Sequence, residues 1–414
     1  MTYAAWVTSS DRALTMAAGQ IRLIQAVTPS NAETELAELT QAFRRGAPRQ
    51  PRWRYDAPPV PPELPRALEE LALFLDKQPP LGPLYAARAR ELCLEAALVG
   101  ATGTPRLTAM ARARFLTSAP RDDAEQADEL ALRWTSGPAL DLAHAANRFT
   151  EHEQDTAEDV GDHGSDRPVR SCDAKNPRSL LSRLTTEVGR KRLPMRVCVQ
   201  GGMASLAATG DGVILVARNQ WLRRRDVERT VLHEIEGHAL PRARAARAPL
   251  ALFAFGTARG IDDQEGRAIT IEERAGFLDK ARKFELGCRH LGARATLEGA
   301  DFADIVRLLC ARGAVIESAL RIAARVQRGS QGDGGLAREI VYLPARCRVE
   351  RLLRGPQGHE VEQVMRGGRI AADVALELAA ALSMEGESKA GHFDPVGKAN
   401  GVASNVGVRT KVVS

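Results

Sequence analysis

Residues 230–242 read TVLHEIEGHALPR, a run in which His233 and His238 bracket Glu234; Val231, Leu232 and Ile235, with Val227 just before the run, recur at helical spacing. Two imidazoles and a carboxylate on one helix can supply two ligands for a catalytic zinc and a base for its water. In the common form of such a helix the histidines stand four residues apart, about 40° from one another around the axis. Here they are five apart, which on a regular α-helix means about 140°, too wide for both rings to meet one ion. One extra residue held as a π-type bulge restores their convergence, and such bulges occur mainly at functional sites. Gly237 is the residue that tolerates the deviation most readily. The spacing therefore predicts a helix deformed near Glu236 or Gly237, with Glu234 between the two rings. The plainer alternative is a helix with two histidines on its polar face.

The flanks set this helix in a mixed context. Short apolar runs MRVCVQ (195–200) and GVILVAR (212–218), joined by Gly-rich turns, read as two neighbouring strands behind a helix at about 178–191. Asp226 is placed to cap the histidine helix and Pro241 to stop it. Downstream, DDQEGRAITIEE (262–273) opens a helix expected to run to about 283, on which Glu265 and Glu272 share a face. Glu265 could be a third ligand, and Glu272 could orient a histidine from behind. Two helices are expected over about 301–326. REIVYL (338–343) and CRVERLL (347–353) alternate like strands, and 360–383 returns to helix.

Towards the N-terminus, apolar positions from Ser10 to Phe43 give a helical hairpin broken at VTPSN, where a Ser or Asn can cap. A Pro-rich passage (51–65) must be irregular, because proline excludes helix and restricts its neighbour. Helices follow at about 64–76 and 82–99. Residues 151–178 are acidic, polar and poor in apolar side chains, which reads as a loop or linker whose His152 and His163, set among Asp and Glu, could bind a metal adventitiously but read first as solvated. This divides the chain into an N-terminal helical region (1–150), the linker, a catalytic region (179–384) and a polar tail (385–414).

Bulk composition narrows the function classes. The chain has 414 residues, 44% hydrophobic and only 4% aromatic, with Ala, Leu and Arg prominent, so an α+β, mainly helical architecture is expected. A net charge of +6, from 58 basic against 52 acidic residues, is too small an excess to imply nucleic acid and reads as solubility. Six cysteines without a C-x-x-C pair suggest reduced thiols rather than a disulfide framework or a cysteine zinc site. With neither a signal-like N-terminus nor a long apolar run, a cytoplasmic protein free of membrane is expected.

HEIEGH (233–238) taken together with QEGRA (264–268) resembles the paired motifs of the tyrosine/glutamate carboxypeptidase family, which includes the microtubule-associated tyrosine carboxypeptidases and bacterial "QEGLA motif" proteins. The opening helices, the strand pair before the motif and AARVQRGSQGDGGLAREIVYL (323–343) extend the resemblance over about residues 10–383. It implies a zincin-like fold with a small mixed sheet, zinc held by His233, His238 and Glu265, and Glu234 as general base. The expected activity is hydrolysis of a C-terminal peptide or amide bond, on a peptide-like substrate with a free carboxylate.

Tyr342 and Arg328 are candidates to steady the tetrahedral oxyanion. Arg325, Arg338 and Arg267 are candidates to bind the substrate carboxylate, which a bidentate arginine suits. Arg267 replaces the family's usual leucine, and Leu-Ala-Arg-Glu (336–339) replaces Phe-Thr-Lys-Asp, so tyrosine release does not follow from the resemblance. Two other readings stay open. His-Glu-x-x-Gly-His is similar to the motif of dipeptidyl peptidase III, which suggests an aminopeptidase-like zinc hydrolase whose free amine Glu272 or Glu273 would hold. The other is a zinc-stabilised binding protein without turnover, against which the intact Glu234 argues.

Overall fold

The Ala- and Leu-rich composition is expressed as helix over residues 4–116, 120–136 and 167–387, which the computed structural model describes; strands are confined to two small sheets. Residues 151–166 of the acidic segment, with His152 and His163, and the tail from 388 lie outside the described residues. The N-terminal helices are Ala5–Gln20, Leu23–Val27 and Ala32–Arg44, followed by irregular Pro-rich chain and by Leu64–Leu75 and Gly82–Gly100. Asn31 precedes the third helix without capping it. Its side chain instead donates to Arg52 O (2.9 Å) and accepts from Arg54 N (2.8 Å), fastening the irregular segment.

β1 (Val169–Arg170) pairs antiparallel with β5 (Trp221–Leu222). β2 (Arg196–Gln200), β3 (Ala207–Thr209) and β4 (Val213–Ala217) form a mixed sheet in the order β2-β4-β3. The two expected strands are thus neighbours, and β3 adds an antiparallel edge within the stretch read as turns. Ala207, Ile214 and Val216 pack with helix Leu180–Arg190 and with Val227, Val231, Ile235 and Ala239 of the histidine helix.

That helix begins at Arg224, so Asp226 sits in its first turn and does not cap it. It runs as α-helix to Leu232, as π-helix over His233–Ala239, and as α-helix again over Leu240–Ala245. The deformation predicted from the spacing is therefore present. Pro241 does not end the helix. Proline has no N–H to return to an earlier carbonyl, but Leu240 N already bonds Ile235 O, and Glu236 O accepts from Arg267 Nη1 at 3.1 Å.

The single helix expected at 262–283 is two, Gly260–Arg274 and Lys280–Glu298, parted at Gly276 (φ 77°) and restarted by Asp279 accepting from Arg282 N. Phe302–Ala311 and Ile316–Val326 agree with expectation. The strands expected at 338–343 and 347–353 are instead a 3-10 turn, Arg338–Val341, and a helix, Tyr342–Leu353. Alternating arginines imitate the two-residue period of a half-buried strand, yet Arg346 and Arg348 are interior, paired with Glu273 and with Asp263 and Asp123. The 360–383 helix is likewise divided into Gly358–Arg366, a 3-10 turn Ala372–Val374, and Ala375–Glu387. One hydrophobic cluster joins Leu98, Leu107 and Phe115 to Phe284, Phe302 and Leu343, so the N-terminal helices and the region carrying the motifs share a core.

Candidate active site

The π segment turns His233 and His238 towards each other, with their Nε2 atoms 3.2 Å apart. Glu265, on helix Gly260–Arg274, brings Oε2 to 3.6 Å from His233 Nε2 and 3.7 Å from His238 Nε2. Two glycines make this approach possible. A Cβ at Gly237 would stand 2.7 Å from the Ala268 Cβ, so the histidine helix can lie close on the glutamate-bearing helix only because 237 is bare. On the opposite side, a Cβ at Gly266 would stand 2.4 Å from the Ala345 carbonyl carbon, which lets helix Tyr342–Leu353 close in. The glycine of each motif is thus a packing requirement.

The outer nitrogens of both rings are spoken for. His233 Nδ1 meets Glu272 Oε1 at 2.7 Å, and Glu272 is held in turn by Arg282 at 2.9 and 3.0 Å. His238 Nδ1 meets Gln264 Oε1 at 3.0 Å. Both partners accept, so each Nδ1 carries a proton, and in the neutral form of each ring the lone pair is on the inward Nε2. Two lone pairs and a carboxylate oxygen facing one another at this range repel unless a cation or proton lies between them. Donors about 2.0–2.1 Å from a tetrahedral zinc are separated by about 3.4 Å, close to the separations here, so the residues fit that ion. A proton can partly fill the same role: burial pushes the His233 imidazolium down, but its hydrogen bonds with Glu265 and Glu272 outweigh this and raise it to about 10. Burial opposes ionisation of Glu265 and Glu272 too, and is overridden by His238, His233 and Arg338 at the first and by Arg282 and His233 at the second, so both lie well below the usual carboxylate range.

Glu234 is buried beside this cluster, and its Oε2 accepts from Thr209 Oγ1 at 2.7 Å. The family model described as microtubule-associated tyrosine carboxypeptidase matches residues 40–396, a span that contains every residue named in this site. The chain belongs to that family. It is therefore a carboxypeptidase-type hydrolase acting on peptide substrates. The match leaves out the first two helices, to which the resemblance read from the sequence extended. No individual curated protein matches the chain.

Within this carboxypeptidase the arginines separate. Arg338 follows Ala337, which adopts the left-handed region (φ 48°), and its Nη2 lies 3.7 Å from Glu265 Oε1. Among the described residues its guanidinium donates no hydrogen bond. Arg325 is engaged by Glu339 (2.7 Å), Ala204 O (3.1 Å) and the Tyr342 hydroxyl (3.3 Å). Arg328 is tied to Arg325 O and Glu339 (2.9 and 3.0 Å), and Arg267 to the backbone of the histidine helix. Glu273 pairs with Arg346 rather than with the cluster. Sequence reasoning missed Gln264, Arg282 and Thr209. Gln264 was signalled by its place beside Glu265 in the second motif; the other two come from separate elements and had no local signal.

Proposed function

We propose that this carboxypeptidase is a zinc enzyme with a zincin-like centre in which His233, His238 and Glu265 hold the ion. The observation that carries the reading is the convergence of two imidazole Nε2 atoms and a carboxylate oxygen, each ring's Nδ1 being engaged by an acceptor so that Nε2 is the nitrogen turned inward. When bound, zinc would polarise the scissile carbonyl and make a water more acidic. Glu234 takes the water's proton and returns it to the departing amine. Tyr342, anchored by Arg325, is the candidate donor to the oxyanion; Arg328 has its bonds directed to Glu339 and Arg325 O. Arg338 is the candidate clamp for the terminal carboxylate, because among the described residues its guanidinium donates no hydrogen bond and only approaches Glu265, at 3.7 Å. The aminopeptidase reading loses support, since Glu272 is held by His233 and Arg282 and Glu273 by Arg346. Six free thiols fit a reducing, cytoplasmic setting.

The test is metal analysis and mass-read cleavage of peptides whose ends are free, acetyl-capped or amidated. Wild type should hold about one zinc per chain and trim peptides with a free C-terminus but not their amides. His233→Ala should lose zinc, whereas Glu234→Gln should keep it and lose turnover. Arg338→Ala should lower kcat/KM by about tenfold to a hundredfold, the value of a charged hydrogen bond. Zinc retained after removal of both histidines, or trimming from the amino end, overturns the proposal.

A further inference from the structure

We propose that Thr209 is a positioning residue of this hydrolase: its hydroxyl pins Glu234 Oε2, so that Oε1 is the oxygen that exchanges the proton with water. The inference rests on the reading of Glu234 as the base. Thr209 is the last residue of β3, opposite Ile214 of β4, and the turn that follows is closed by Gly210 N bonding Val213 O at 2.8 Å with Gly212 at φ 68°. A tight turn directly after a residue leaves that residue little freedom. The same hairpin is fastened to the histidine helix independently of Thr209. Asp211 pairs with Arg242, and Ala207, Ile214 and Val216 share a cluster with Ile235 and Ala239. The Thr209 hydroxyl is therefore presented to Glu234 by a support that does not depend on the bond it makes.

A carboxylate torsion is broad and roughly two-fold, so without a fixed partner Glu234 would present either oxygen over a range of angles. The hydroxyl at 2.7 Å removes that freedom. It does so without a formal charge, which matters because a lysine or arginine at the same place would pair with the carboxylate and weaken it as a base. The bond also survives the reaction. Water gives a proton to Oε1 and its oxygen to the carbonyl carbon; the C–N bond then breaks, and the Oε1 proton passes to the leaving nitrogen. Throughout, Oε2 remains an acceptor for Thr209, so this contact needs no reorganisation.

The experiment compares zinc-loaded wild type, Thr209→Val, Thr209→Ser and Glu234→Gln on the acetyl-capped, free-acid peptide that wild type trims fastest. Valine keeps the shape and removes the hydroxyl. For it, kcat should fall by about tenfold to a hundredfold, the scale of a misaligned catalytic group, with KM within about twofold and zinc content and thermal midpoint unchanged. Serine should restore kcat to within about threefold. A Thr209→Val enzyme with wild-type kcat, a loss carried by KM, or a serine variant as impaired as valine overturns the inference while an inert Glu234→Gln leaves the base assignment standing. Full turnover by Glu234→Gln instead overturns the base assignment, and this inference with it.

Discussion

Gly237→Ala probes how the histidine helix sits on the helix that carries Glu265. The new Cβ would stand 2.7 Å from the Ala268 Cβ, whereas carbon atoms rest about 3.5–4.0 Å apart, so the helices must part by about 1 Å. Overpacking of this size costs roughly 1–3 kcal/mol, offset by up to about 1 kcal/mol because alanine favours helix over glycine. The proposed ligands lie on opposite sides of the seam, His233 and His238 on one helix and Glu265 on the other. Metal–ligand distances tolerate only about 0.2 Å, so the variant should damage zinc binding before it damages the fold. The expected result is zinc affinity weakened by about fivefold to 150-fold, taking 1.4 kcal/mol as a factor of ten, read by competition with a chromophoric chelator. Adding Ala268→Gly removes the opposing methyl and should restore most of the affinity. If Gly237→Ala binds zinc as wild type does, or the double variant stays as weak as the single one, the packing argument is wrong.

Two further outcomes follow from the ring partners. Glu272→Gln should weaken zinc by about tenfold to a hundredfold while Glu234→Gln does not; equal affinities in the same chelator titration would mean that Glu272 does not orient His233. In metal-free protein the His233 value is raised from 6.5 to about 10, so its stabilising contribution is complete below about pH 6.5 and lost as pH rises towards 10. The melting midpoint of chelator-treated protein should fall across that window, and zinc affinity should climb by about tenfold per pH unit as the proton is displaced. An affinity that is flat from pH 7 to 9 would refute the protonated His233.

The histidine spacing was readable because an arithmetic misfit of one residue has few structural solutions, and a π turn is the one that keeps both rings useful. Glu265 and Glu272 were readable because seven residues on a helix return to the same face. What failed was the assumption that charged side chains mark the outside. Arg346 and Arg348 are interior and paired with acids from distant segments, so CRVERLL displayed a strand period while folding as helix. The same habit fills the space behind the site, where Arg88 and Arg114 are buried with Glu91, Glu95 and Asp262. Such networks are assembled from residues far apart in the chain, and no local pattern announces them. Thr209 was hidden for the same reason: a three-residue edge strand carries too little periodicity to be seen, and its value lies in what it meets.

The extra residue in the histidine helix also acts as a phase shift. Each residue turns an α-helix by about 100°, so one added position rotates everything after Ala239 relative to everything before Leu232. Val227 and Val231 before the turn, Ile235 and Ala239 within it, and Leu240 and Ala243 after it all pack with the sheet cluster, while Ala245 enters the separate cluster formed with Leu252, Phe253 and Val361. The turn that brings the two histidines together thus also sets which faces of the later helix meet the sheet cluster and which meet the second core. Deleting a residue to recover the more common four-residue spacing would leave the distal half of the helix facing the wrong partners, so this centre and its commoner counterpart are not one deletion apart in folding terms.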